Sequence, residues 1–420
     1  MEWKEVTLGE ITNLVIDYRG KTPLKLGSSW SDSGYRALSA KNIKTGQIVA
    51  EDSIRFVDEE LYRKWMKDEV NRGDILITSE APFGQIYYWD SDEKIVLSQR
   101  LFDVRLNDEV CHKYVYYFMT SHRYQKDLEG RATGTTVTGL RQPELLKSTI
   151  LLPPLSAQRS IASILSSLDR KIELNNKINA DLEEMAQAIF KNWFVDFEPF
   201  KGGKFVDSEL GMIPEGWKVS QIADIPHILE TGKRPKGGAV EKGIPSVGAE
   251  HVKGMCAYDY SKTKYINCEF AAKLKTGKIN GYELMIYKDG GKPGYFIPNF
   301  SIFGEGYPFE NCYLNEHVFK LDFDGNKEFN IFCYFFFKTE QIMSYFNAQG
   351  AKAAIPGINK KDVENIYIFS PDNESVIKFG EFAYPLFKQM LKNAIENRTL
   401  STLRDTLLPR LMSGELEVPE

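Results

Sequence analysis

The feature of this sequence that most constrains its fold is a heptad seam interrupted by asparagine. In LDRKIELNNKINADL (168–182), apolar residues recur at two heptad positions, except where Asn175 occupies one position and Asn179 the other. The apolar pattern continues on both sides for about five heptads in all, which predicts a long helix packed against a partner helix. That partner must accommodate two amides within an otherwise apolar contact.

The same pattern recurs 218 residues downstream, where Asn393 and Asn397 take the places of Asn175 and Asn179. Shorter similarities precede each helix at offsets of 209 to 218 residues. They are RGKTP (19–23) with TGKRP (231–235), LSAKNI (38–43) with VGAEHV (247–252), LSQRLFDV (97–104) with LNEHVFKL (314–321), and TVTGL (136–140) with AIPGI (354–358). The chain is therefore predicted to contain one arrangement twice, a globular domain followed by a long helix.

Two helices of the same length and pattern can pair with each other. If they run antiparallel about their centres, Asn175 faces Asn397 and Asn179 faces Asn393. Each amide then finds another amide, which avoids the cost of an unpaired buried polar group, about 1–3 kcal/mol. A shift by one heptad would place amides against leucines, so the asparagines would define register and direction. The alternative is that the asparagines are exposed to solvent.

The predicted fold class follows from the repeat and the seam. It is α+β, with two similar globular α/β domains separated by two long helices that form an intramolecular antiparallel coiled coil with pseudo-twofold symmetry. The predicted boundaries are 1–152 for the first globular domain, 153–200 for the first long helix, 201–372 for the second globular domain and 373–420 for the second long helix.

Local patterns predict the elements within each globular domain. DILIT (74–78) and IVLSQRLFDV (95–104) are typical of strands, and the aromatic stretches 113–128 and 329–346 are typical of helices. Prolines in LLPPLSAQ (151–158) mark the start of the first long helix, which should end near Trp193.

Bulk properties exclude several classes of protein. A chain of 420 residues is too long for a single core. Five cysteines without a CxxC pair, together with an N-terminus that has no apolar signal segment, predict a cytoplasmic protein with reduced thiols. The net charge of −5 argues against general polyanion binding, although single surfaces can still be basic.

Two segments carry a resemblance to a known family. LLPPLSAQRSIASILSSLDRKIELNNKINADLEEMAQAIFKNWFVDFEP (151–199) resembles the central conserved region of type I restriction–modification specificity subunits, and LSTLRDTLLPRLMSGEL (400–416) resembles their C-terminal conserved region. IPEGW (213–217) is also typical of that family. The sequence departs from the family at LSQR (97–100) and LNEH (314–317), where an Asn-Gln-His-like string is common, and at FSPDNESVIKF (369–379), which lacks the PLxxQR form.

The resemblance implies a DNA-binding protein with two target-recognition domains, each reading one half of a bipartite duplex site. It also implies that the coiled coil sets the spacer and docks methyltransferase (M) subunits, and that an endonuclease/translocase (R) subunit joins for restriction. S-adenosylmethionine would then bind the M subunit, and ATP with magnesium the R subunit, while this chain would carry no cofactor of its own.

Catalytic and metal-binding motifs are absent from the sequence. RGKT (19–22) lacks the leading glycine of a phosphate-binding loop, and neither a methyltransferase cofactor loop nor an Asn/Asp-Pro-Pro-aromatic motif occurs. DFDGNKE (322–328) lacks two ligands of a calcium loop and is predicted to be a turn between a strand and a helix. The histidines show no metal-ligand spacing. The chain is therefore predicted not to be an enzyme.

DNA contacts would come from loops that carry cations and amides. Lys and Arg would bind the phosphate backbone, whereas Asn, Gln, His and Arg would read base edges. The candidates are Lys21, Lys41, Asn42, Arg100, Thr135, Thr136 and Arg141 in the first half, and Lys233, Arg234, Lys236, His251, His317 and Lys352 in the second. For each residue the alternative is a solvated surface side chain without a ligand.

A rival interpretation is a coiled-coil scaffold for protein assembly, or an anti-restriction decoy, without sequence-specific DNA binding. The acidic net charge favours it, whereas the basic, glycine-bearing loops at matching positions of both halves oppose it.

Overall fold

The computed structural model describes residues 3–134, 138–290, 294–351 and 356–418, and they form two compact units. Unit 1 comprises residues up to Lys171 together with those from Leu400 onward, and unit 2 comprises Ile172–Thr399. We call the globular part of unit 1 lobe 1 (3–152) and that of unit 2 lobe 2 (205–369). Each unit also contains a part of both long helices.

Lobe 1 is built on a four-stranded antiparallel sheet and a smaller three-stranded sheet. In spatial order the larger sheet contains Thr12–Asp17, Leu101–Leu106, Ile75–Thr78 and Ile86–Tyr88, and the smaller sheet contains Arg55–Val57, Tyr35–Leu38 and Val96–Leu97. Lys4–Thr7 pairs with Thr149–Leu152, and Ile43–Lys44 pairs with Gln47–Ile48. The helices are Glu59–Trp65, His112–Thr120, His122–Arg131 and Gln142–Leu146. In the smaller sheet, Tyr35–Leu38 and Val96–Leu97 run parallel.

Lobe 2 repeats this topology. Its larger sheet contains, in order, Ile228–Thr231, Val318–Asp322, Leu284–Tyr287, Phe300–Ile302 and an additional strand, Gly254–Met255. Its smaller sheet contains Lys264–Ile266, Ile244–Val247 and Tyr313–Leu314, of which the last two run parallel. Val219–Gln221 pairs with Tyr367–Phe369, and a hairpin of Phe205–Ser208 and Gly211–Pro214 lies at the start of the lobe. The helices are Cys268–Ala272, Lys327–Phe337, Glu340–Gly350 and Lys360–Glu364.

The predicted fold class is confirmed, because the same arrangement of sheets and helices occurs in both lobes. Two details of the prediction were wrong. Each aromatic stretch forms two helices rather than one, since Ser121 and Thr339 stand in extended conformation before the second helix of each pair. IVLSQRLFDV (95–104) forms two strands in different sheets, separated by a turn in which Arg100 has a φ of 63°.

The two long helices extend over Leu155–Phe194 and Glu374–Met412. The first begins directly after the predicted prolines and ends one residue past Trp193. The second continues through Pro409 to Met412, and Gly414 adopts a left-handed conformation with a φ of 77° just beyond its end. In the part of the chain that the structure describes, no helix combines the length and apolar character needed to cross a membrane.

The long helices pair antiparallel in unit 2 through the four predicted asparagines. Asn175 donates to Asn397 Oδ1 at 2.9 Å, and Asn393 donates to Asn179 Oδ1 at 2.8 Å. Asn175 and Asn393 are fully buried, whereas Asn179 and Asn397 are half-buried. The predicted pairing is confirmed, and the alternative of four solvent-exposed asparagines is wrong.

Further polar groups extend this amide cluster. Asn175 also donates to Glu396, Asn179 donates to the carbonyl of Met390, and Gln389 donates to Asn393 Oδ1. The buried amides therefore hold the two helices in one register, because a shift along the seam would break several hydrogen bonds together.

We expect Asn393→Leu to lower the free energy of unfolding by about 1–3 kcal/mol, because Asn179 and Gln389 then lose their hydrogen-bond partner. The double variant Asn179→Leu/Asn393→Leu should recover most of that loss, since an apolar pair leaves fewer polar groups without partners. Urea denaturation of the four proteins of this double-mutant cycle measures the coupling. A coupling energy near zero would show that the amide pair does not act as a unit.

Equivalent buried positions of the two larger sheets carry an acidic residue in lobe 1 and a basic residue in lobe 2. Asp103 in lobe 1 lies opposite the strand Ile75–Thr78. Lys320 lies at the matching register in lobe 2, opposite the corresponding strand Leu284–Tyr287. Lys320 is paired with Glu230 at 2.8 Å and also donates to the carbonyl of Lys278. Among the described residues, Asp103 forms no ion pair; burial and the Asp74 carboxylate raise its pKa well above the usual range of an aspartate.

A carboxyl group whose pKa is raised in the folded state stabilises the fold less as pH rises from the ordinary aspartate pKa, about 4, through the raised value. We therefore expect Asp103→Asn to gain stability relative to the natural protein as pH rises from about 4 to 8. Denaturation midpoints across this range test the prediction, with the exposed Asp32→Asn as control. A difference that does not change with pH would contradict it.

Candidate nucleic-acid interface

Two loops of lobe 1 meet at one edge of its smaller sheet. Parallel strands place their carboxyl ends on the same side, so the residues after Leu38 and after Leu97 become neighbours. Ser98 donates its backbone N–H to the Leu38 carbonyl at 2.8 Å, and Ala40 donates to the Gln99 carbonyl at 3.1 Å. We call this pair, residues 39–42 and 98–100, the paired loops of lobe 1. Two separate sequence similarities, LSAKNI and LSQR, thus form a single surface.

Asn42 organises the paired loops and is not exposed on them. Its Oδ1 accepts from the backbone and hydroxyl of Ser39, while its Nδ2 contacts the Val49 and Ala50 carbonyls and the Ser53 hydroxyl. The side chain is fully buried. The predicted DNA contact by Asn42 is therefore corrected to a structural role, because its hydrogen-bonding groups are already used inside the lobe. Lys41 beside it is exposed.

A cation–carboxylate pair joins a third loop to the paired loops. Arg100 Nε lies 2.9 Å from Glu80 Oε1, and the Arg100 carbonyl accepts from Ser79 N–H. Leu140 donates to the Ser79 carbonyl, and a Cβ on Gly139 would lie 3.3 Å from Glu80 Oε2. Gly139 and Leu140, at the end of the TVTGL segment, are thereby held against the loop that carries Glu80. Thr135 and Thr136 lie outside the described residues.

A cavity of about 320 Å³ opens between these loops. Its lining includes Lys41, Gln99 and Arg100, together with Trp30 and Arg55. The Arg55 guanidinium lies 5.3 Å from the centre of the Trp30 ring. These side chains present hydrogen-bond donors and an aromatic face to the solvent, which suits nucleic acid.

Lobe 2 builds the same surface after Val247 and Leu314, which are also in parallel register. We call residues 248–251 and 315–317 the paired loops of lobe 2. Asn315 donates its backbone N–H to the Val247 carbonyl at 3.0 Å. His251 takes the place of Asn42, because its Nδ1 accepts from Gly248 N–H as Asn42 accepts from Ser39.

His251 is likewise corrected from a DNA contact to a structural residue. It is 1% exposed and its ring stacks on Tyr258 at a centroid distance of 4.3 Å. Burial lowers its pKa, which favours the neutral imidazole. The similarity between LSAKNI and VGAEHV therefore reflects a shared way of closing the loop rather than a shared base-reading residue.

His317 occupies the position of Arg100 and again pairs with a carboxylate. Its Nδ1 lies 2.5 Å from Asp289 Oδ1, and its Nε2 lies 3.3 Å from Glu316 Oε1. Asp289 corresponds to Glu80, and a Cβ on Gly357 would lie 2.8 Å from the Asp289 Cβ. Lys352, in the loop before Gly357, lies outside the described residues.

A basic loop adjoins the paired loops of lobe 2. Gly232 donates its backbone N–H to the Asn315 carbonyl at 3.2 Å, and Lys233, Arg234 and Lys236 after it are all exposed. Arg234 reaches Glu316 at 3.9 Å. These three predicted cations therefore lie exposed beside the paired loops of lobe 2.

The remaining candidates of lobe 1 differ in availability. Arg141 is exposed immediately before the helix Gln142–Leu146. Lys21 donates to the Trp65 carbonyl at 2.5 Å and lies over the Tyr18 ring, so its ammonium group is engaged within the lobe, and burial lowers its pKa. Within the described ranges, no group of three or more histidine, cysteine or acidic side chains could hold a metal ion.

The chain resembles a specific group of known proteins. Residues 1–184 match the family model for the type I restriction modification DNA specificity domain. The MjaIX specificity subunit of Methanocaldococcus jannaschii is 32% identical over 359 residues, which are 83% of this chain and 79% of that protein. The chain belongs to the type I restriction enzyme specificity subunits.

Two further likenesses accompany this assignment. The HindI specificity subunit of Haemophilus influenzae is 25% identical over 415 residues, covering 83% of this chain and 88% of that protein. The crystal structure of the type I restriction–modification S subunit from M. genitalium shares the fold, with a TM-score of 0.57 and 16% identity over 98% of this chain and 96% of that one. The resemblance identified from the sequence is therefore confirmed.

Sequence reasoning missed four residues of the interface in this specificity subunit, Trp30, Arg55, Glu80 and Asp289. Glu80 and Asp289 follow corresponding strands, Ile75–Thr78 and Leu284–Tyr287, at an offset of 209 residues. The similar segments LSAKNI and VGAEHV are separated by the same offset. An alignment of the loop after DILIT with the loop after ELMIY at that offset would therefore have found both carboxylates.

We expect Gly232→Ala to destabilise the specificity subunit by about 1–3 kcal/mol, because its Cβ would lie 1.6 Å from the Leu314 carbonyl oxygen. Gly237→Ala is the matched control in the same loop, since a Cβ there meets no atom within 4 Å. Urea denaturation compares the two variants. If the two variants were equally stable, the close contact between position 232 and the Leu314 carbonyl would not require glycine.

Proposed function

We propose that this chain is the non-catalytic DNA-recognition subunit of a cytoplasmic type I restriction–modification complex, and that each lobe reads one half of a bipartite duplex site. The observation that carries the proposal is the repeated interface. In both lobes the same three loops converge, and a nitrogen-bearing side chain pairs with a carboxylate at the same position, Arg100 with Glu80 and His317 with Asp289.

The side chains divide into two chemical groups suited to two tasks. Three cations with long side chains lie on one exposed loop, Lys233, Arg234 and Lys236. Such side chains suit contacts with the phosphate backbone. The amide and carboxylate side chains of the paired loops have directional donors and acceptors, which suits base edges. The net charge of −5 does not oppose this division, because these three exposed cations lie together beside the paired loops of lobe 2.

The long helices would set the spacer between the half-sites and dock the M subunits. A helix of 40 residues, such as Leu155–Phe194, is about 60 Å long at 1.5 Å per residue. The amide cluster would keep the spacing constant, because it prevents one helix from sliding along the other. S-adenosylmethionine would bind the M subunits and ATP with magnesium the R subunit, so this chain would need no cofactor.

Mobility-shift titration of duplex DNA by the full-length chain with its methyltransferase partner tests the proposal. We expect sequence-dependent binding that weakens as salt concentration rises, because bound cations release counterions from the phosphates. Lys233→Ala should weaken binding to all sequences about equally and reduce the salt slope by about one. Lys204→Ala, an exposed lysine outside the lobes' loops, is the control.

Binding that depends neither on sequence nor on salt would instead support the scaffold or anti-restriction decoy. If the Lys233→Ala variant lost discrimination at one base pair, Lys233 would be a base contact and not a phosphate contact.

A further inference from the structure

Gln99 and Glu316 occupy the same place in the two lobes. Each lies two residues beyond the end of a parallel strand, after Leu97 and Leu314, and each directly precedes the residue that pairs with a carboxylate, Arg100 or His317. The two side chains have the same length and shape. They differ in charge and in hydrogen bonding, because a neutral amide both donates and accepts hydrogen bonds whereas an anionic carboxylate only accepts them.

Both side chains have hydrogen-bonding capacity to spare in the described parts of the chain. Gln99 is exposed on the cavity of lobe 1, and its side-chain amide forms no hydrogen bond with any described residue. Glu316 is 32% exposed, with Oε1 at 3.3 Å from His317 and 3.9 Å from Arg234. Glu316 Oε2 accepts no hydrogen bond from any described residue.

Glu316 Oε2 is buried within the lobe, so a base would meet the exposed part of the side chain and not this oxygen. The carboxylate cannot pair with a phosphate, since both are negative. It can accept from an exocyclic amino group in the major groove, and cytosine N4 is the usual partner of a carboxylate. An amide at the same place pairs with N6 and N7 of adenine through one donor and one acceptor.

We propose that Gln99 and Glu316 are equivalent base-reading side chains, Gln99 selecting adenine in the half-site of lobe 1 and Glu316 selecting cytosine in that of lobe 2. This inference rests on the proposed function. The neighbouring environment agrees with it, because exposed cations of the 233–236 loop are available to hold the backbone that Glu316 would repel.

The reciprocal exchange of the two side chains tests the proposal. The full-length chain with its methyltransferase partner is used to select bound duplexes from a randomised library, for the natural protein, Gln99→Glu and Glu316→Gln. We expect Glu316→Gln to change one base of the lobe 2 half-site from cytosine to adenine, with the preference shifting about tenfold to a hundredfold. Gln99→Glu should change one base of the lobe 1 half-site from adenine to cytosine.

Each variant leaves the other half-site as an internal control, and two exposed exchanges control for net charge. Glu241→Gln and Gln47→Glu alter charge equally but lie outside the paired loops, so they should leave both half-sites unchanged. Unchanged half-sites in both paired-loop variants, or a change in the half-site of the other lobe, would overturn the proposal. If one variant fails to fold, the other decides alone.

If the natural protein itself enriched no two-part sequence from the library, that result would refute the proposed function rather than this inference. A natural protein that selects a bipartite sequence, with variants that do not alter it, would leave the DNA-recognition function intact and remove Gln99 and Glu316 from the base contacts.

Discussion

The hydrogen bonds between buried amides of the long helices are the constraint on which the helical seam depends. An apolar seam alone would permit several registers of similar stability, because leucine packs against leucine at every heptad. Asn175 and Asn393 remove that freedom, since each is buried and needs a partner at one place on the other helix. Any function that requires a constant alignment of the two long helices depends on this pairing.

The lobes show how one fold can carry different recognition chemistry. The strand pairs that end at Leu38 and Leu97, and at Val247 and Leu314, bring two loops together by backbone geometry alone. Side chains on those loops can therefore change without altering the frame. The exchange of glutamine for glutamate between the lobes is a small change of structure and a large change of hydrogen-bonding chemistry.

Particular residues show how far the sequence could predict the interface. Lys41, Arg100, Lys233 and His317 were recognised because their segments recur, and the structure places all four on or beside the paired loops. Asn42 and His251 lie in an equally similar segment, yet both are buried. A repeated segment identifies a loop that is built twice, and it does not distinguish residues that close the loop from residues that face a ligand.

The sequence by itself determined the repeated organisation, the long helices, the pairing of the asparagines and the family. These properties follow from periodicity and local composition, which a linear pattern records directly. Only the tertiary structure decided which loops meet, that Glu80 and Asp289 pair with Arg100 and His317, and that Lys21 is engaged within lobe 1. Those contacts join residues far apart in the chain, and their formation depends on strand register and burial, which no local pattern contains.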